Sequence, residues 1–242
     1  MPFTFSHPAL VLPLLRFKWL SMTGLVVGSL SPDFEYFFIQ MQMKGYYSHT
    51  VEGALIMDLP MAIIFAILFH QLAKRPLVTH LPAYFQKRLE IFYQFDFVDY
   101  LKKNWFIFLV STIIGIYSHI LWDDFTHADG YFVTNFNALQ YEIYLSDFTI
   151  YIYKILQHSS TIIGGLIILL YFHRSPSSSF LLPKSTFPYW LVLIFIAIIM
   201  AVIRLVFLEN WVIGHFIALF FTCGLSSLMI TGGLYQKLKV KT

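Results

Sequence analysis

The chain has 242 residues, 58% of them hydrophobic and only 12% charged, with a formal net charge of +3. Soluble domains are about 25% charged, so this composition excludes an ordinary soluble domain and reads as an integral membrane protein. The small net charge says little about nucleic acid, and no nucleic-acid partner is expected. The one cysteine, Cys223, excludes an intrachain disulfide and a thiolate zinc site.

Runs apolar enough to cross a bilayer, at about 20 residues each, fall at 19–39, 53–73, 105–122, 159–173, 189–208 and 211–235. The expected fold is all-α: a polytopic bundle of six transmembrane helices forming one membrane domain over 1–242. Residues 1–173 would carry the site, and 174–242 would supply two C-terminal spans. The segments 74–104 and 123–158 are rich in aromatic residues and are expected to lie on the membrane surface as amphipathic helices. Residues 175–179 form a serine-rich linker. No cleavable signal peptide is expected, because Arg16 and Lys18 follow the first apolar run, 9–15, instead of preceding it.

Lysine and arginine orient the bundle. Of the sixteen, thirteen fall on one side, Lys44 and Lys154 on the other, and Arg204 within the fifth span. Both termini are therefore expected on the cytoplasmic side of a cell membrane. The same topology gathers Asp33, Glu35, His49, Glu52, Asp58, His119, Asp123, Asp124, His127 and His158 at the outer ends of the spans, leaving His70, His80 and His173 on the inner side.

An ionisable side chain at membrane depth marks a functional site by default. His119, Asp123 and His127 recur at i, i+4 and i+8, which on a helix places them on one narrow face, about 40° apart from one to the next. Imidazole with carboxylate suits zinc, or manganese or iron where carboxylates dominate. A divalent ion held there would activate water, with Asp124 or Glu35 as general base. The bland alternative makes Asp123, Asp124 and His127 the polar end of a helix leaving the bilayer, with Asp129-Gly130 as its turn. Asp33 follows the break Gly28-Ser29-Leu30-Ser31-Pro32. Pro32 removes a backbone donor and disfavours helix at Ser31. Asp33 then reads as a ligand, or as an acid in a Pro-started first turn where the macrodipole favours it. His49 gains weight only from its company on the same side. Arg204 could pair with Asp58 or Glu209, snorkel outward, or meet a substrate phosphate. His158 could be a ligand, a proton shuttle or a cap. His70, His80, His173 and His215 are read as structural.

Several strings carry a family resemblance: Met1-Pro2-Phe3-Thr4-Phe5-Ser6-His7-Pro8-Ala9, Gly28-Ser29-Leu30-Ser31-Pro32-Asp33-Phe34-Glu35-Tyr36-Phe37, Ser48-His49-Thr50 and Asp58-Leu59-Pro60. His119-x-x-Trp122-Asp123-x-Phe125-Thr126-His127-x-x-Gly130 and Tyr153-Lys154-x-x-Gln157-His158-x-Ser160 complete the set. With them the chain resembles the bacterial membrane family called domain of unknown function 4184, from Met1 to about Gly165; that family has no established activity. It is more distantly similar to the YdjM-type inner-membrane metal-dependent hydrolases. These share an N-terminal His, a Pro-Asp-x-Asp turn after a Gly-rich apolar run, and Ser-His-Ile-Leu-x-Asp before a Thr. That similarity implies His7, Asp33, His49, His119 and Asp123 as metal ligands, with Glu35 standing where the pattern has its second Asp. The pattern's His-Arg-Gly before the histidine is missing around His49. A cytoplasmic N-terminus would hold His7 away from the outer site unless 9–15 enters the membrane as a re-entrant segment. Otherwise His7 is only a cap before Pro8.

The expectation is a hydrolase of the bacterial inner membrane with one divalent metal. It would act on a phosphoester or lipid-linked substrate at the outer interface, with membrane lipids as its surroundings. The alternatives are a protein that binds or moves a metal ion or proton without hydrolysis, and a structural membrane protein.

Overall fold

The computed structural model describes residues 3–40, 47–145, 148–182, 185, 187–206 and 213–239. Lys44, Lys184, Glu209, Trp211 and Lys241, which entered the charge and span readings, lie outside the described residues.

The elements are almost all helical. Helix α1 is Pro8–Val11, flanked by 3-10 turns at Thr4–Ser6 and Leu12–Arg16, and α2 is Met22–Leu30. A 3-10 turn at Ser31–Asp33 and a π-helix at Glu35–Gln40 follow. Helix α3 spans Val51–His80. Two short helices, α4 (Ala83–Arg88) and α5 (Glu90–Gln94), lead to α6 (Phe97–Thr126), which is kinked at Asn104. After α7 (Tyr131–Asn135) comes an antiparallel hairpin, β1 (Glu142–Leu145) and β2 (Phe148–Tyr151), with Glu142 opposite Tyr151 and Ile143 opposite Ile150. Helices α8 (Ile152–Arg174), α9 (Tyr189–Val206) and α10 (Ile213–Lys239) complete the chain.

Five helices among the described residues are long and apolar enough to cross a membrane: α3, α6, α8, α9 and α10. The expected first span, 19–39, is not one of them. Its nine-residue α-helix gives way at Ser31-Pro32 to tighter and then wider turns. Pro32 lacks an amide hydrogen, so the regular ladder cannot continue through it. The segment 123–158 also departs from a surface helix. Its first residues extend α6, its middle forms α7 and the hairpin, and α8 starts seven residues earlier than its apolar run.

Packing divides the chain into two units. The first comprises Met1–Asp33, Tyr47–Ala62 and Asn104–Arg174; the second comprises Phe34–Tyr46, Ile63–Lys103 and Ser175–Thr242.

In the first unit, glycines set how closely α2 meets α6. A Cβ on Gly24 would fall 2.7 Å from the Phe108 carbonyl oxygen, and one on Gly28 would fall 2.2 Å from that of Thr112. One on Gly115 would lie 2.4 Å from the Leu25 oxygen. This small-xxx-small contact lets two backbones touch where lipid gives no hydrophobic drive to association. Ser21 caps α2, its Oγ accepting from the Gly24 amide at 3.2 Å while its own amide donates to Ser111 Oγ at 2.8 Å. The N-terminal turns lie against α8, where the Phe3 amide donates to Thr161 Oγ1 (3.1 Å) and Ser6 Oγ donates to the Thr161 carbonyl (2.9 Å).

In the second unit α9 packs on α10, and Gly232 brings α10 against the end of α3, where an added Cβ would meet the Leu72 oxygen at 2.2 Å. Gln236 Nε2 donates to the Gln71 and Leu72 carbonyls at 2.6 and 3.1 Å. Lys74 is buried; its ammonium donates to the Phe95 carbonyl and lies over the Phe92 and Phe95 rings. The linker after α8 is tied down by Ser178 on the Lys87 carbonyl and by Leu182 on Gln86 Oε1, both at 3.0 Å.

Candidate metal centre

The first unit gathers six of the predicted side chains at one place. His119, Asp123 and His127 stack along one face of α6, as their spacing requires: Asp123 Oδ2 stands 3.4 Å from His119 Nε2 and 3.6 Å from His127 Nδ1. Asp33 arrives from the 3-10 turn after α2. His49 comes from the turn before α3, and His7 from the turn that opens α1.

Four donors lie near one another, and three of them, on Asp33, His49 and His119, are all within 4.8 Å of each other. His119 Nε2 and His49 Nε2 are each 3.4 Å from Asp123 Oδ2, and they stand 3.8 and 3.7 Å from Asp33 Oδ1. These separations exceed ordinary hydrogen bonds of about 2.7–3.2 Å. They match the spacing of donors around one small cation. Ligands bound tetrahedrally at about 2.1 Å stand about 3.4 Å from one another. The donor chemistry and spacing therefore fit zinc or a similar divalent ion. A second triad, His7, His119 and Asp123, shares His119 with the triad of Asp33, His49 and His119. His7 Nε2 is 3.5 Å from the other carboxylate oxygen, Asp123 Oδ1, and its ring stacks on His119 with centroids 3.6 Å apart.

The supporting contacts orient these donors. His119 Nδ1 lies 2.8 Å from the Ser29 carbonyl oxygen. That acceptor requires the proton on Nδ1 and leaves the Nε2 lone pair turned toward the carboxylates, the arrangement that fixes a metal-binding imidazole. Thr4 Oγ1 donates to Asp33 Oδ2, leaving Oδ1 for the cluster. His49 is held with φ at +69°, in the left-handed region that few non-glycine residues adopt. The turn around it is locked: Thr50 Oγ1 donates to the Tyr47 carbonyl (2.7 Å) and accepts from the Gly53 amide (2.9 Å). Gly53 has no room for a side chain, since a Cβ would sit 1.7 Å from the Tyr47 oxygen. Strain of this kind collects at functional sites.

Burial is nearly complete. The His119 and Asp33 side chains are fully covered and Asp123 is 8% exposed, while His49, at 21%, carries the opening to the surroundings. Desolvating two carboxylates costs several kcal/mol each unless positive charge answers them. Within the cluster only imidazoles are at hand, so a divalent cation offsets that cost better than the protein alone.

The remaining predicted residues are placed differently. His127 Nδ1 lies 3.1 Å from the Asp123 carbonyl oxygen, and its Nε2 faces Gln157 Nε2 at 3.4 Å. Lys154 donates to the amide oxygen of Gln157 at 2.7 Å, so Gln157 presents its NH2 group to His127. Both nitrogens of His127 are thereby engaged outside the four-donor set. Asp124 accepts the Tyr131 amide on Oδ1 at 3.1 Å and so supports the start of α7. His158 is exposed on α8. Glu35 and Arg204 are buried in the second unit. Asp58 is buried in the first unit. His70 stacks on Phe97 and His80 on Tyr189.

Sequence reasoning missed Thr4, Gln157 and the Ser29 carbonyl. Thr4 and Gln157 stand inside the strings that carry the resemblance, three positions from His7 and one from His158. A backbone carbonyl leaves no mark in a sequence.

No curated protein and no solved structure matches this chain. The family model described as Domain of unknown function (DUF4184) matches residues 1–233, nearly the whole length. The chain therefore belongs to the DUF4184 family.

Proposed function

We propose that the protein is a membrane-embedded, metal-dependent hydrolase acting on a phosphoester, with the ion held by Asp33, His49, His119 and Asp123. One observation carries the reading: two imidazole nitrogens each stand 3.4–3.8 Å from two carboxylate oxygens in a buried pocket. The more distant similarity to the YdjM-type hydrolases supports it. A divalent ion there supplies Lewis-acid polarisation of a phosphoryl oxygen and activation of a water.

The chain's own groups do the rest. Ser29 and Thr4 hold His119 and Asp33 in the orientation that exposes one donor atom each. His7 has no hydrogen bond to either ring nitrogen among the described residues, and its Nε2 is beside Asp123 Oδ1. We assign it the proton transfer. It takes a proton as the water oxygen joins phosphorus and returns it to the alkoxide as the ester P–O bond breaks. Asp124, engaged with the Tyr131 amide, is less suited to that role.

The reading places the site at the outer interface, both termini in the cytoplasm and residues 19–39 as a broken sixth span. The thirteen-to-two partition of lysine and arginine supports this. The turns from Thr4 to Arg16 would then form the re-entrant segment that carries His7 to the cluster, covered by α8 as such a segment requires.

The test is turnover of phosphate mono- and diesters, soluble and lipid-borne, by the protein in nanodiscs. Turnover should depend on added zinc or manganese and be lost in Asp123→Asn. Tight metal binding without turnover of any ester would leave an ion-binding protein and remove the hydrolase.

A further inference from the structure

Beside the cluster, the first unit holds a cavity of about 250 Å³ between the N-terminal turns and α8. His7, Leu10, Trp122, Leu156, Ile163 and Ile167 line it. We propose that this cavity binds a single alkyl chain of the substrate, which makes that substrate a lipid entering sideways from the bilayer. The inference rests on the hydrolase reading for the word substrate; the chain-binding site itself does not.

Three observations point to this occupant. The first is chemical. Three serines line the cavity, but Ser6 Oγ donates to the Thr161 carbonyl, Ser159 Oγ to Leu156 and Ser160 Oγ to Gln157. With those hydroxyls turned to backbone oxygens, hydrocarbon dominates the lining beside the His7 imidazole, and a ligand polar along its whole length would lose its hydration for nothing. The second is size. At about 30 Å³ for each water-sized group, the space takes on the order of eight methylenes, whereas a helix with side chains is about 10 Å across and does not fit. The third is position. Leu10 of α1 and Ile163 and Ile167 of α8 remain 40–55% exposed along the cavity, and α8 is long and apolar enough to cross a membrane. His7 also lines the cavity, with its Nε2 3.5 Å from Asp123 Oδ1. A chain lying there runs from the bilayer to the cluster, with its headgroup delivered to His7.

Gly164 keeps the wall in place. A Cβ there would come within 2.9 Å of the Ser6 oxygen, so the glycine lets the N-terminal turns lie directly on α8. It is unsuitable for testing, because a substitution would move the wall itself.

The experiment uses the full chain in phosphatidylglycerol nanodiscs, with a lysophosphatidylglycerol carrying a diazirine in mid-chain. After photolysis, adducts are mapped by peptide mass spectrometry. Labelling should concentrate on Leu10, Leu156, Ile163 and Ile167 over the lipid-facing Ile194 and Phe195 of α9. Filling the cavity with Ile167→Trp, or separately Ile163→Trp, should lower that labelling about tenfold, since each methylene displaced removes its burial energy, while labelling of α9 is unchanged. Asp123→Asn, which empties the proposed metal site, should leave the labelling intact. Uniform labelling of all lipid-facing helices, or labelling indifferent to both Trp variants in monodisperse protein, would overturn the proposal. Concentrated labelling in a protein that binds no metal would keep the chain site and defeat the hydrolase reading alone.

Discussion

Asp33, His119 and Asp123 sit where water barely reaches, and Asp33 and His119 are oriented by Thr4 and the Ser29 carbonyl. This predicts a graded response. His119→Ala or Asp123→Asn removes a donor and should lower zinc affinity by at least about 100-fold. Thr4→Val removes only the hydrogen bond to Asp33 and should cost about 10- to 100-fold, both read by competition with a chromogenic chelator. Asp33→Asn separates charge from packing. Without metal it should raise the melting temperature, because one buried carboxylate disappears. With zinc at a hundred times its Kd the native protein gains about 2.7 kcal/mol, and the variant should gain little. An equal response of both proteins to zinc would contradict the assignment. The α6 triplet was readable from spacing alone. The topology put Asp33 and His49 on the same side as it, but His7 joined them only through resemblance, since no periodicity links positions 7, 33, 49 and 119. His127 has the right spacing on α6, but its contacts, Nδ1 on the Asp123 carbonyl and Nε2 facing the Gln157 amide, are invisible in sequence.

At the scale of elements, the site depends on backbones that touch. Gly28→Ala would drive a methyl into the Thr112 carbonyl, and such overpacking costs about 1–3 kcal/mol. It should also weaken metal binding by shifting Ser29 away from His119. Gly165 and Gly224, by contrast, have open space where a Cβ would sit. Gly165→Ala should stabilise α8 by about 0.4–1 kcal/mol and leave metal affinity unchanged; thermal melts in detergent compare the two. His49→Gly should relieve the left-handed backbone and raise thermal stability while weakening zinc binding, which a chelator titration beside the melt would detect. The spans from α3 onward were legible as apolar runs. The first was counted as a span on its apolar run, although Pro32 marked the break at which its α-helix ends. The hairpin was missed because its aromatic residues serve a membrane-surface helix and a strand equally well.

For the whole molecule, the five helices among the described residues suited to crossing a membrane and a one-sided charge pattern make topology the main expectation. In a Cys223→Ser background, Asp129→Cys should react with a membrane-impermeant maleimide from outside the cell. Ser177→Cys should react only after lysis; the reverse pattern would invert the orientation and move the cluster to the cytoplasmic face. The two-unit packing was not legible, because both units are assembled from separated stretches of chain. The central claim is that the buried cluster holds a metal ion, and elemental analysis of the purified protein beside His119→Ala and Asp123→Asn tests it most directly. The account predicts near-stoichiometric zinc, manganese or iron, lost in both variants while each remains folded. A folded protein with no metal as purified and no uptake on titration would contradict it.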